Sequence, residues 1–166
     1  MRGTRITFGA ILLFTITAGA GQVGVTASAA APATPAASHG GAATRACSLL
    51  TKEDAAEALG EAAHGPTGHE RGDTSNCEYT GSGINRINLN LMRMPTDQAQ
   101  MYAGLCAQKT KEGLNGLGSV TCWYNEKHEE LQVLKGAQFF SIQLRRHGDP
   151  TESIKRVAKR VYDKLP

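Results

Sequence analysis

The stretch Cys77-Glu78-Tyr79-Thr80-Gly81-Ser82-Gly83-Ile84-Asn85-Arg86-Ile87-Asn88-Leu89-Asn90-Leu91-Met92 decides the fold of this chain. Ile87, Leu89 and Leu91 alternate with Asn88, Asn90 and Met92, the period of a strand buried on one face only. Residues 77–80 precede it across Gly81-Ser82-Gly83, which reads as a hairpin. A second strand group follows Gly116-Leu117-Gly118 and comprises residues 120–124, 130–135 and 139–145. Turns are expected near residues 125–129 and at Gly136-Ala137.

Around these strands the period changes to that of helices. Thr51 is a natural N-cap for the run to Leu59, with Glu53 and Asp54 in the first turn where carboxylates favour the positive end of the dipole. Gly60 is the expected stop and Leu50 a staple. A middle helix is expected from about Asp97 to Thr110, after Pro95-Thr96, with Met101, Leu105 and Cys106 facing inward. The last helix opens on Asp149-Pro150-Thr151-Glu152, a cap, a proline at the first helical position and an acid to close a capping box. Ile154, Val157, Ala158, Val161, Tyr162 and Leu165 then form one apolar face. The expected class is α+β: one domain, an antiparallel sheet of about five strands covered by helices on one face, in the order α-β-β-α-β-β-β-α. The helix-then-strands unit occurs twice, but the halves share little beyond that order.

Composition locates the protein. Arg2 and Arg5 precede an apolar run from Phe8 to Ala20, and Ala27-Ser28-Ala29 has the form of a cleavage site. Residues 1–29 therefore read as a signal peptide for the general secretory route. The run is too short for a membrane anchor, which needs roughly 20 apolar residues. Cleavage leaves 16 of the 18 basic residues against 15 acidic ones, a net charge of +1. That balance argues against a nucleic-acid partner. Residues 30–46, rich in Ala, Pro and Gly, read as a flexible tether, and residues 47–166 as the folded unit. Cys47, Cys77, Cys106 and Cys122 form an even set behind an export signal, so two structural disulfides are expected in a secreted or periplasmic protein. Four cysteines allow three connectivities, and no C-x-x-C marks a redox pair.

Cys47-Ser48-Leu49-Leu50-Thr51, Asp54-Ala55-Ala56 and Leu59-Gly60 resemble the opening of a family of small exported bacterial domains, typified by actinobacterial lipoproteins of unknown function. Asn76-Cys77-Glu78-Tyr79, Gly116-Leu117-Gly118 and the run from Leu131 to Gly136 are similar to its later pattern. The resemblance implies a Cys47–Cys77 bond and an exported life, and it implies no activity. The chain departs from that pattern in lacking a lipid-attachment cysteine and in carrying Cys106 and Cys122. A second bond between these two would tie the middle helix to the strand at Val120.

Chemistry-bearing motifs are sparse. No G-x-S-x-G elbow frames a nucleophile. The run from Gly113 to Gly118 lacks the dinucleotide-binding spacing and reads as a tight lead-in to the next strand. His128-Glu129-Glu130 reads as a hairpin turn, and Trp123 as a core residue. No cofactor and no catalytic residue is assigned. Two function classes remain. The preferred one is a non-catalytic exported binding domain that contacts a protein or an anionic envelope component through its sheet face or a basic helix. Arg145 and Arg146, with Lys155, Arg156, Lys159, Arg160 and Lys164 on the polar face of the last helix, are the expected surface for such a partner. The alternative is a small metal-dependent enzyme or metal-binding domain built on His64, His69, Glu70 and Asp73, in a polar loop over residues 60–75.

Overall fold

The computed structural model describes residues 44–109, 114–118 and 120–166. The expected signal peptide, residues 30–43 of the tether, Thr110, Gly113 and Ser119 lie outside the described residues. The elements are α1 (Arg45–Leu49), α2 (Lys52–Leu59), β1 (His64–Arg71), β2 (Thr74–Thr80), β3 (Arg86–Arg93), α3 (Thr96–Ala107), β4 (Val120–Trp123), β5 (Glu130–Lys135), β6 (Gln138–Arg145) and α4 (Thr151–Lys164). All strand pairs are antiparallel, in one six-stranded sheet ordered β1-β2-β3-β6-β5-β4.

The alternation in β3 does what its period requires. Ile87, Leu89 and Leu91 are buried, while Asn88, Asn90 and Met92 on the other face stay half-buried. Their partners on β6 are Leu144, Ile142 and Phe140, also buried, so the two central strands form the middle of the core. Fully burying side chains of this size is worth roughly 1.5–3 kcal/mol each. The β3–β6 pairing joins the two strand groups into one sheet. α1, α2 and α4 cover this apolar face, α4 with Ile154, Val157, Ala158 and Val161.

The helix boundaries follow their caps. Thr51 accepts from the Asp54 N–H while the Asp54 carboxylate accepts from the Thr51 N–H, and Gly60 ends α2 in the left-handed region. At α4 the Asp149 carboxylate accepts from the Thr151 N–H at 2.9 Å. The expected box there does not close: the helix starts at Thr151 with Pro150 rather than Asp149 in the capping position, that residue makes no side-chain capping bond, and Glu152 pairs with Lys155. α1 takes in Arg45 and Ala46, at the end of the stretch read as a tether, with Thr44 as its N-cap.

Four further expectations are corrected. The sheet has six strands, not five, because residues 64–71 of the expected loop form β1. β1 lacks apolar alternation, since it is an exposed edge strand with a register shift between His64 and Thr67. The helices do not share one face. Cys122 lies on the same side of the sheet as its partner Gln132, opposite the core, and α3 is bonded to that side through Cys106. α3 consequently buries only Cys106, and Met101 and Leu105 are exposed rather than inward-facing. Finally, α3 ends at Ala107.

Both disulfides, Cys47–Cys77 and Cys106–Cys122, join a helix to a strand. Among the described residues no helix is long and apolar enough to cross a membrane.

Candidate functional site

The face of the sheet turned away from α1, α2 and α4 is only partly covered. α3 lies over its β4–β5 end. The Tyr102 hydroxyl donates to Gln132 Oε1 at 3.2 Å, and its ring meets Phe139 edge-on. Burial, with a smaller contribution from Glu130, pushes the Tyr102 hydroxyl above its ordinary range, so it stays a neutral donor.

The remainder of that face carries polar rows that cross the strands. One row runs His69, Asn76, Asn90, Ser141, Gln132. The next runs Thr67, Glu78, Asn88, Gln143, Glu130. Asn76 Nδ2 donates to both Asn88 Oδ1 (2.9 Å) and Asn90 Oδ1 (2.7 Å), so the amides hold one another in fixed orientations. Strands lie about 4.8 Å apart, which sets the pitch between neighbours in each row. The side chains follow from the same alternation that built the core: every second residue of β2, β3 and β6 points to this face.

A third row pairs Arg86 with Arg145 across β3 and β6. Both are exposed, and neither forms an ion pair among the described residues. They line a depression of about 340 Å³ with Glu78, Thr80 and the β2–β3 turn. Arg145 and Ile84 also border a larger cleft of about 660 Å³ that extends to Lys127, Glu129 and Arg146. Ile84, in the turn, is 66% exposed. Arg146 is committed elsewhere: Nη1 donates to the Ala58 carbonyl at 2.8 Å and Nη2 to the Asp149 carbonyl at 3.2 Å.

The turn itself is fixed by Glu61. Its carboxylate accepts from the Ser82 hydroxyl, the Ser82 N–H at 2.9 Å and Asn85 Nδ2. These hydrogen bonds, Ser82 first, hold Glu61 well below the usual carboxylate range, at about 2.

The bases expected on α4 are placed differently from Arg145. Arg160 donates to Asp54 and Glu57, both at 2.7 Å. Arg156 also reaches Glu57, Lys155 pairs with Glu152 and Lys159 with Asp163. Lys164 donates to the Leu49 carbonyl and approaches Asp54 at 3.4 Å. The carboxylates of α2 therefore meet the bases of α4, and the face is locally balanced in charge. Burial alone would raise Asp54, but the hydrogen bonds from Arg160 and Thr51 outweigh it and leave Asp54 below its ordinary value.

His64 and His69 lie five residues apart along β1, on the order of 15 Å at the rise of a strand. Glu70 is held by Arg45 and accepts from the Ser75 hydroxyl at 3.2 Å. Asp73 sits in the turn between β1 and β2. Among the described residues no group of three or more His, Cys, Asp or Glu is arranged to hold a metal. Trp123 is in the core, stacked on His128 with ring centroids 4.6 Å apart.

Arg86 was not singled out from the sequence. Its place on the polar face was readable from the β3 alternation, whereas its register against Arg145 depends on a pairing about 60 residues apart that no local pattern encodes. No protein-family model matches the chain, and no curated protein or solved structure matches it.

Proposed function

We propose that this chain is an exported, non-catalytic binding domain that takes its ligand on the open polar face of its sheet. One observation carries the reading: one side of β2, β3 and β6 is roofed by three helices, while the other presents ordered rows of amides that end in two exposed arginines without carboxylate partners among the described residues. The amides of Asn76, Asn88 and Asn90 are already aligned there, so a polar ligand is met by oriented donors and acceptors at little ordering cost. The two disulfides support an oxidising compartment, in line with the signal expected at residues 1–29. The resemblance of residues 47–60 and 76–79 to small exported bacterial domains supports the same placement and adds no activity.

The open face is preferred over the α4 bases because the latter are neutralised within the fold. That pairing also shapes the test, since reversing Arg160 would break contacts to α2. The informative comparison sets Asn88→Lys with Asn90→Lys against Lys155→Gln with Lys159→Gln, read as association of the oxidised protein with native envelope fractions. The reading expects association to fall in the first variant and persist in the second. The opposite pattern would move the binding surface to α4.

A further inference from the structure

The cross-strand pair Arg86 and Arg145 is anomalous in a folded sheet. Like charges directly opposite each other on one face are destabilising. Arg45, beside β1, is by contrast paired with Glu70. Glu78 borders the same depression, yet it makes no hydrogen bond or ion pair to either arginine among the described residues. The depression is concave, is walled by a turn that Glu61 holds in place, and has the exposed Ile84 on its rim.

From this geometry we infer that Arg86 and Arg145 form a binding site for a phosphate monoester, with Ile84 receiving the apolar part of the esterified group. The inference rests on the open-face reading and names the ligand chemistry at one end of that face. Two guanidinium forks side by side suit a tetrahedral dianion, which offers a pair of oxygens to each fork. A carboxylate offers one such pair and fills a single fork.

The test is calorimetric titration of the oxidised full chain with phenyl phosphate, inorganic phosphate and benzoate at low salt. Phenyl phosphate is expected to bind one to one, about tenfold more tightly than benzoate, and to weaken as salt is raised. The Arg86→Gln, Arg145→Gln variant is expected to lose at least about tenfold in phenyl phosphate affinity. Its thermal midpoint is expected to be unchanged or higher, because the like-charge opposition is removed. Arg86→Lys keeps the charge and loses the fork, so intermediate binding is expected even if the double variant folds poorly. Vesicles of phosphatidylcholine containing phosphatidic acid supply the second arm: binding to these without binding to phenyl phosphate assigns the site to a lipid headgroup. Benzoate binding as tightly as phenyl phosphate, equal phosphate binding in the double variant, or no saturable binding to any phosphate probe overturns the inference. Envelope association that survives the loss of both arginines but falls in Asn88→Lys with Asn90→Lys overturns this inference alone and leaves the open-face reading standing.

Discussion

Glu61 is a half-buried carboxylate that fixes the β2–β3 turn through three hydrogen bonds to Ser82 and Asn85. Its value falls from 4.5 to about 2 on folding, so its contribution to stability is complete above about pH 4.5 and is lost as pH falls towards 2. The thermal midpoint followed from pH 6 to pH 2 is therefore expected to drop less steeply in Glu61→Gln than in the parent; parallel curves would show that the turn does not depend on the ionised group. Asp54 does double duty as half of a capping box and as the partner of Arg160 and Lys164. Asp54→Ala is expected to cost about 1–3 kcal/mol in urea denaturation, by loss of a cap and of an ion pair whose basic partners are partly exposed. The capping half of that role is local and was legible as Thr51 followed by Glu53 and Asp54. The ion pair was not, because Asp54 and Arg160 are joined only by the packing of α2 on α4.

Helices and strands with strong periods were read within a residue or two, and β5 at its observed bounds. β1 was missed for a physical reason: its stability comes from pairing with β2 and from α1 packed close above it, not from an apolar face of its own. A Cβ at Gly68 would lie 2.8 Å from Thr44 Cγ2 and 3.1 Å from Cys47 Sγ. Gly68→Ala is accordingly expected to cost about 1–3 kcal/mol through overpacking, measured as a shift in denaturation midpoint. α3 was expected about three residues too long at its end and turned the wrong way. A disulfide and a few contacts hold it to the polar face, so its apolar residues need not point inward. Met101→Lys with Leu105→Lys is expected to change stability by no more than about 0.5 kcal/mol, whereas Leu89→Ala in the core is expected to cost about 2–5 kcal/mol. A large loss from the α3 variant would mean that this helix packs more deeply than its exposure indicates.

The sheet divides the described residues into a side that builds stability and a side that is only partly covered. The first side is apolar, roofed by three helices and tied at Cys47–Cys77; the second is amide-rich, covered by α3 at one end and ended by Arg86 and Arg145 at the other. The α+β class and the presence of two disulfides were readable from periodicity and cysteine number. The candidate site was not, because it depends on β3 lying beside β6, the one pairing that joins the two strand groups. The claim that Arg86 and Arg145 bind a phosphate monoester at one end of the open side is tested most directly by amide chemical-shift mapping of the oxidised chain during titration with phenyl phosphate. Saturating shifts are expected at residues 83–86, at Arg145 and on the neighbouring positions of β2, with α4 unmoved. Shifts centred on α4, or none that saturate, would contradict it.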